Sequence, residues 1–170
     1  MALIVLTGFM ATGKSEVGRR LARALGRPFV DTDDLVEAAA GCSVAEVFAR
    51  EGEAGFRARE RAAVEHACAL KDAVVATGGG TLLDPENRRR LTAAGLIICL
   101  TAPPEVILER AGDPASRPLL AGANGDRIER VRALLAERAP IYALASHAVD
   151  TTGLSVDEVV ERVQALVTGR

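Results

Sequence analysis

The segment from Gly8 to Ser15 holds the residues best suited to chemistry. It fits the pattern G-x-x-x-x-G-K-[ST] and directly follows the apolar run 2–6. A buried strand that leads through a glycine-rich turn into a helix directs backbone N–H groups, and the positive end of the helix, towards one anion. We therefore predict a phosphate-binding loop in which Lys14 reaches the β- and γ-phosphates of a nucleotide and Ser15 binds magnesium. The alternative is a flexible glycine turn before an ordinary helix.

Carboxylates follow the predicted second strand, 28–30, in the run 31–34, which contains Asp31 and Asp33. In an open α/β sheet, ligands bind beyond the carboxyl ends of the strands, so these carboxylates should face the same crevice as the phosphate loop. One or two of the acids could instead cap the next helix and favour its first turn.

Three consecutive glycines, Gly78, Gly79 and Gly80, follow the predicted third strand, 73–77. Glycines in this position suggest that another group approaches the backbone too closely for a Cβ atom. A plain flexible turn is the alternative.

Arg57 and Arg59 lie at the start of a long predicted helix that ends near residue 70. Either arginine could form i,i+3 or i,i+4 ion pairs with Glu53, Glu60 or another nearby acid on a solvated face. For Arg59 we favour that interpretation.

The helical pattern fails between residues 111 and 125, with Arg117 at the centre of the interruption. A segment of this length without secondary structure is usually a lid or disordered. We predict a lid that lowers the Arg117 guanidinium onto a transferring phosphate.

Strands and helices alternate along the rest of the chain. The later strands are predicted at 96–100 and 148–150, and a helix over 126–145 should be kinked or split at Pro140. With five strands joined by helices, the fold class is α/β: one domain, residues 1–170, with a five-stranded parallel sheet, right-handed crossovers and helices on both faces. Helices predicted at 32–40 and 43–50, together with the start of the long helix, would form a substrate-binding segment at about 32–60.

The composition excludes several classes of function. The net charge is −2 and aromatic residues make up 3% of the chain, which argues against a nucleic-acid partner, and no apolar run is long enough to span a membrane. The three cysteines contain no C-x-x-C pair, and nothing marks the protein for export, so we expect a cytoplasmic protein. We also expect a monomer, although no sequence feature determines the oligomeric state. Neither His66 nor His147 has a second ligand at metal spacing, so we expect no metal site that contains either histidine.

The motifs together resemble those of shikimate kinases over nearly the whole chain. The motifs that carry the resemblance are the phosphate loop, Asp31-Thr32-Asp33, Gly52-Glu53-Ala54-Gly55-Phe56-Arg57, Gly78-Gly79-Gly80, Arg117-Pro118-Leu119-Leu120 and Arg138-Ala139-Pro140-Ile141-Tyr142. The resemblance implies a fold like that of the P-loop nucleoside monophosphate kinases, with a mobile lid. It also implies the conversion of shikimate and MgATP into shikimate 3-phosphate and ADP, a step of chorismate and aromatic amino-acid biosynthesis.

Roles for individual residues follow from the resemblance. Lys14 would hold the transferring phosphate, Asp31 would contact magnesium through water beside Ser15, and Asp33 would accept the proton of the shikimate hydroxyl. Arg57 and Arg138 would clamp the shikimate carboxylate. Further residues are implied in ATP binding (Met10, Ala11, Thr12, Gly13, Lys14, Ser15, Glu16, Arg110 and Arg117), in binding the ring hydroxyls (Gly78, Gly79 and Gly80) and in apolar walls (Phe48, Phe56, Pro118 and Leu119). Phe48 fits a core position nearly as well.

Glu16 departs from the family pattern, which usually has threonine after the serine. An acid there could weaken ATP binding through like charge, or it could point to solvent as a favourable first-turn residue. The stretch 151–154, on the adenine side, shows no clear base-contacting residue.

Two other functions remain possible at this stage. One is a kinase for another small polyol acid such as gluconate, although Asp33, Gly79 and the two carboxylate-clamping arginines favour a cyclic carboxylate. The other is a nucleotide-binding regulatory module without turnover, for which the main argument is Glu16.

Overall fold

Strands and helices alternate in the structure, a computed structural model that describes residues 2–112 and 126–169. The strands are β1 (Leu3–Gly8), β2 (Phe29–Asp31), β3 (Val74–Ala76), β4 (Gly95–Thr101) and β5 (His147–Asp150). The helices are α1 (Lys14–Leu25), α2 (Thr32–Ala40), α3 (Val44–Ala69), α4 (Pro85–Ala94), α5 (Pro104–Ala111), α6 (Arg127–Tyr142) and α7 (Val156–Thr168), with a 3₁₀ turn at Thr81–Leu83. Each predicted strand is found within two residues of its expected bounds.

The five strands form one sheet in the order β2-β3-β1-β4-β5, and every neighbouring pair is parallel. This confirms the predicted α/β fold with a five-stranded parallel sheet. All six residues of β1 are buried, because this strand lies at the centre of the sheet with helices on both faces. Ile4 and Leu6 pack towards α1 and α7, whereas Leu3 and Val5 pack towards α3 and α4.

Two glycines allow strands β1 and β4 to lie close together. A Cβ atom on Gly8 would collide with the carbonyl oxygen of Leu100, and one on Gly95 would collide with the carbonyl oxygen of Leu3. Gly8 also has a φ of 136°, which disfavours other residues, whereas the φ of Gly95 is −178°, ordinary extended backbone. The phosphate loop therefore leaves the sheet at a point that tolerates only glycine.

Two helices differ from the predicted bounds. Helix α3 continues from Val44 to Ala69, but Gly52 has φ 70° and ψ −175° and divides it, so the expected pair of helices meets at that residue. The expectation that α6 reaches residue 145 is wrong, because the helix ends at Tyr142 and turns follow. It is not split at Pro140, which lies in its last turn, where few hydrogen bonds remain to be lost.

The predicted lid over 111–125 falls almost entirely outside the described part of the chain. Ala111 ends α5 and Gly112 follows it with a positive φ of 64°, while Arg117, Pro118 and Leu119 lie outside the described residues. None of the helices in 2–112 and 126–169 is long and apolar enough to cross a membrane.

Candidate active site

The phosphate loop has the backbone that an anion cradle needs. Gly8, Ala11 and Gly13 all have positive φ values, of 136°, 59° and 88°. Such turns direct successive N–H groups towards one point, and α1 begins immediately afterwards at Lys14. The alternative of an ordinary flexible turn does not account for the strained conformation of Ala11, whose positive φ was not expected from the sequence.

Two side chains of the loop bind the same backbone carbonyl. The Lys14 ammonium donates a hydrogen bond of 2.7 Å to the oxygen of Phe9, and the Thr12 hydroxyl donates one of 2.7 Å to the same atom. The Lys14 ammonium is therefore held over the loop, where it can neutralise phosphate oxygens.

Ser15 and Asp31 meet across the gap between α1 and β2. The Ser15 hydroxyl donates to Oδ2 of Asp31 at 2.5 Å, and Oδ1 of Asp31 accepts the backbone N–H of Asp33 at 2.9 Å. Asp31 therefore caps α2, in agreement with the capping interpretation, and also presents a carboxylate to Ser15.

This pair of oxygen ligands suits Mg²⁺. Among the described residues, no group of three or more His, Cys, Asp or Glu side chains could hold a metal ion. Mg²⁺ usually takes one or two protein oxygens and fills its other positions with water and substrate phosphates, so a hydroxyl and a carboxylate beside a phosphate loop fit it.

Asp33 is a partly buried carboxylic acid in the first turn of α2. Burial, together with the nearby charges of Asp31 and Glu60, raises the pKa of Asp33 to about 6, and Lys14 acts in the opposite direction. Its carboxylate is therefore ionised at neutral pH but holds a proton far more tightly than an exposed aspartate.

Arg57 is held by a buried acid. The Arg57 Nη1 donates to Oε1 of Glu60 at 2.8 Å, and the other carboxylate oxygen of Glu60 accepts a 2.8 Å hydrogen bond from the Thr81 hydroxyl. Glu60 is only 1% exposed, whereas Glu53, 3.8 Å from Arg57, has a side chain that is 75% exposed. The sequence suggested an ion pair on a solvated face, but the pair with Glu60 faces the protein interior.

Arg59 forms a surface ion pair, as favoured for it, but the partner is eight residues away and not at the expected i,i+3 or i,i+4 spacing. Its guanidinium binds Glu51 at 2.8 Å, and both side chains are about one third exposed. Glu51 lies before the break in α3 at Gly52, and Arg59 lies after it.

Arg138 is a buried cation on α6. It is 4% exposed, its guanidinium carbon lies 5.1 Å from the centre of the Phe9 ring, and its Nε has no hydrogen-bond partner among the described residues. A buried guanidinium with an unsatisfied donor is suited to binding an anionic ligand.

The three glycines after β3 pack against these charged side chains. A Cβ atom on Gly78 would lie 3.0 Å from Glu60 and 3.2 Å from Asp33, one on Gly79 would lie 3.1 Å from Arg138, and one on Gly80 would lie 2.7 Å from Arg57. The close approach predicted for this segment is confirmed.

One cavity of about 240 Å³ is shared by the phosphate loop and by the residues around Asp33. Its lining residues come from the phosphate loop, the acidic strand end and the glycine segment, and they include Lys14, Ser15, Asp31, Asp33 and Gly79. A phosphate donor and a hydroxylated acceptor can therefore meet beside Asp33.

Arg110 lies on the other side of the phosphate loop. It donates hydrogen bonds to the hydroxyl and the carbonyl of Thr151, at 2.9 and 3.0 Å, beside a second cavity of about 180 Å³ that Gly13 and Leu154 also line. Thr151 has no role in the sequence interpretation, and its contact with Arg110 joins α5 to the end of β5.

Glu16 points along the surface. It binds Arg20 at 2.9 Å, and Arg20 also binds Asp157 of α7 at 2.8 Å, with all three side chains substantially exposed. The arrangement agrees with the alternative in which Glu16 points to solvent. Glu16 also lines part of the cavity of about 240 Å³.

Phe48 and Phe56 stack with their ring centroids 4.5 Å apart. Phe56 is buried, and Phe48 packs against the same apolar cluster, which also contains Val36 and Val47. Phe48 is thus partly buried at the edge of this cluster, which is compatible with the core alternative.

Tyr142 is a further residue at the site to which the sequence interpretation gave no role. Its hydroxyl donates a 2.6 Å hydrogen bond to the carbonyl oxygen of Gly79. Its position four residues after Arg138, and so on the same face of a helix, was the available signal.

Comparison with known proteins agrees with this geometry. The family model described as shikimate kinase matches residues 10–168. A shikimate kinase of Pelotomaculum thermopropionicum is 47% identical over 163 residues, which cover 96% of this chain and 94% of that protein. One of Symbiobacterium thermophilum is 50% identical over 163 residues, covering 94% of this chain and 92% of that protein.

A solved structure gives the same result in three dimensions. The shikimate kinase of Acinetobacter baumannii in complex with shikimate superposes with a TM-score of 0.94 at 34% identity, covering 99% of this chain and 94% of that one. Sequence similarity over almost the full length, together with the same fold, shows that the chain belongs to the shikimate kinase family.

Proposed function

We propose how this member of the shikimate kinase family carries out its reaction, the ATP-dependent phosphorylation of the 3-hydroxyl of shikimate to give shikimate 3-phosphate and ADP. One observation carries the proposal: a single cavity joins Lys14 and Ser15 of the phosphate loop to Asp33 and the glycine segment. Phosphoryl transfer depends mainly on positioning and on neutralising charge, and this cavity offers both.

On the donor side, the phosphate loop binds the β- and γ-phosphates through its backbone and through Lys14. Ser15 and Asp31 are the residues that would hold Mg²⁺, Asp31 through a water molecule, and the ion would neutralise charge on the transferring phosphate. Met10, Ala11, Thr12, Gly13 and Glu16 border the nucleotide, and Arg110 lies near its base. Arg117 is proposed to reach the phosphates from a lid over about 111–125, a segment that lies mostly outside the described residues.

On the acceptor side, Asp33 accepts the hydrogen bond of the 3-hydroxyl and takes its proton late in the transfer. In a loose transition state the bond from the attacking oxygen to phosphorus is only slightly formed, so the hydroxyl proton becomes acidic only late, and a base with a pKa of about 6 is sufficient. The base is ionised at neutral pH, so it can accept this proton.

Arg57 and Arg138 bind the carboxylate of shikimate. Both are arginines with planar guanidinium groups, which match a carboxylate in two parallel hydrogen bonds and keep their charge at any relevant pH. The N–H groups of Gly79 and Gly80 have no acceptor among the described residues, so they are available to the ring hydroxyls.

We also propose the domain organisation, the oligomeric state and the cellular location of the enzyme. The enzyme acts as one domain over 1–170, with a substrate-binding segment at about 32–60, and as a monomer in the cytoplasm. The composition, the sheet of the described residues and the biosynthetic role of the family support this proposal.

The direct test is ADP release by purified protein with MgATP, measured in parallel with shikimate, with gluconate and without an acceptor. A fourth reaction omits magnesium and contains a chelator. We expect release that requires both shikimate and magnesium. Release with gluconate alone would show that the arginines have been misassigned, and tight ATP binding without release in any reaction would favour a regulatory module.

A further inference from the structure

Tyr142 holds the peptide group that lies between the two arginines of the site. Its hydroxyl donates to the Gly79 carbonyl oxygen at 2.6 Å. The Gly79 side of this peptide is packed against Arg138 and the Gly80 side against Arg57, since Cβ atoms there would lie 3.1 and 2.7 Å from the two guanidinium groups.

The hydrogen bond fixes the direction of a second group. In a planar trans peptide the C=O and the following N–H point in opposite directions. By holding the Gly79 carbonyl, Tyr142 therefore also sets the direction of the Gly80 N–H, which points away from the tyrosine. Gly80 is buried, and its N–H has no acceptor in the described part of the chain, so this donor is open to a ligand oxygen.

The same helix connects this peptide to the carboxylate-binding group. Tyr142 follows Arg138 by four residues on α6, so both side chains project from one face of that helix, and Phe9 and Tyr142 belong to the same apolar cluster. Gly79 in turn lies close to the phosphate loop, because a Cβ atom on it would be 3.5 Å from the oxygen of Gly8. The peptide is thus fixed relative to both the donor and the acceptor parts of the site.

We propose that Tyr142 is a positioning residue for the acceptor, which orients the Gly79–Gly80 peptide so that the Gly80 N–H binds a ring hydroxyl of shikimate. The inference rests on the proposed function, because it assigns the ligand of that N–H to the shikimate ring. Tyr142 does not touch the reacting atoms; it acts through the glycine backbone that it holds, and its hydroxyl also interacts with Arg138.

The first test is the variant Tyr142→Phe, which removes only the hydroxyl. We expect the KM for shikimate to rise by about threefold to tenfold, the range of one hydrogen bond, while the KM for ATP changes by less than about twofold. The control is Ile141→Val on the same helix, which removes one methylene from a partly buried side chain and leaves the hydroxyl in place, and we expect both KM values to stay within about twofold.

Shikimate analogues without one ring hydroxyl identify the interaction. For the analogue that lacks the hydroxyl bound by Gly80, wild type and Tyr142→Phe should have equal KM values, whereas the other analogues should keep the difference. An unchanged KM for shikimate in Tyr142→Phe, an equal rise for ATP, or the same rise in Ile141→Val would overturn the proposal. If the wild type does not phosphorylate shikimate at all, the proposed function fails instead, so the two failures are distinguishable.

A measurement on the wild type keeps the proposal testable if Tyr142→Phe does not fold. Tyr142 is the only tyrosine and the chain has no tryptophan, so tyrosine emission reports on this residue alone. Titration with shikimate should change that emission, with the same dissociation constant that calorimetry gives. Binding that calorimetry detects without any change in emission would contradict a link between Tyr142 and the bound acceptor.

Discussion

The Glu60 carboxylate, 1% exposed, accepts a 2.8 Å hydrogen bond from the Arg57 guanidinium. Its second oxygen accepts from the Thr81 hydroxyl, so both oxygens of the acid are used. The buried Glu60 carboxylate therefore holds one side of the Arg57 guanidinium, and the remaining N–H donors of Arg57 can face the cleft.

The variant Glu60→Gln should weaken acceptor binding. A glutamine can accept only through its single oxygen, so one of the two donors loses its acceptor, and the Arg57 charge is left without its buried counterion. We expect the KM for shikimate to rise by roughly tenfold, with a smaller effect on ATP, and thermal stability to fall. Steady-state kinetics with each substrate varied, and a melting curve, measure these effects.

The matched control is Glu53→Gln, which removes the exposed acid 3.8 Å from the same arginine. An exposed ion pair contributes at most about 1 kcal/mol, so this variant should stay close to the wild type. Equal effects of the two substitutions would show that burial of Glu60 has no special importance.

The rate of the enzyme should decline in acid with a midpoint near pH 6. Asp33 must be ionised to accept the hydroxyl proton, and burial, with help from Asp31 and Glu60, raises its pKa to about 6. Below that pH, kcat/KM should fall about tenfold for each pH unit, because it reports the free enzyme. Removing the Glu60 charge should shift the midpoint to lower pH, and a profile that is flat down to pH 5 would argue against Asp33 as the base.

Replacing Asp33 with Asn should abolish turnover and raise stability. A carboxylic acid whose pKa is higher in the folded state than in the unfolded one destabilises the fold once the pH exceeds the unfolded value of 3.8, and fully so above about 6. At pH 7.5 the melting temperature of Asp33→Asn should therefore rise by a few degrees, since 1 kcal/mol corresponds to about 2–4 °C for a chain of this size.

The same comparison at pH 4 is the control for Asp33→Asn. Near the unfolded pKa the penalty is almost gone, so the two melting temperatures should converge. ATP should still bind the variant, and turnover within about threefold of the wild type would remove Asp33 from its proposed role.

The substitution Arg138→Lys should raise the KM for shikimate strongly, by at least about tenfold. One ammonium cannot reproduce the two parallel hydrogen bonds of a guanidinium, and the side chain is buried against the Phe9 ring. The control is Arg132→Lys on the same helix, where an exposed arginine pairs with Glu105 and Glu129. An unchanged KM in Arg138→Lys would take that residue out of the acceptor site.

Glu16→Thr, which restores the residue usual in the family, should change the KM for ATP by less than about threefold. Arg20 lies 2.9 Å from Glu16 and partly neutralises its charge, and salt screens an exposed charge of this kind. A much tighter binding of ATP by the variant would show that the acid acts on the nucleotide directly.

Most of the fold follows from sequence patterns because short apolar strands alternate with helices that carry clear start and stop signals. The capping box at Ser155 and the proline after Asp84 place two helix starts within one residue. The end of α6 was less predictable, because residues 143–145 are as compatible with a helix as with the turns that they form.

Local motifs also locate the site, whereas partnerships between distant residues depend on packing. Lys14, Ser15 and Asp33 are recognisable from their spacing, but the burial of Glu60 beside Thr81 depends on how α3 packs against the turn after β3. The hydrogen bond from Tyr142 to Gly79 joins residues 63 positions apart, and no local pattern indicates it.

The first glycine of the phosphate loop has a further meaning for the recognition of related proteins. Gly8 is required by the neighbouring Leu100 carbonyl, and so by the sheet itself, in the same way that Gly95 is required by Leu3. A descendant that lost nucleotide binding would be released from selection at Lys14 but would still have to keep Gly8 in order to fold. In a diverged sequence, Gly13, Lys14 and Ser15 therefore indicate that the protein binds ATP. A glycine at position 8 without them indicates only that the fold is the same.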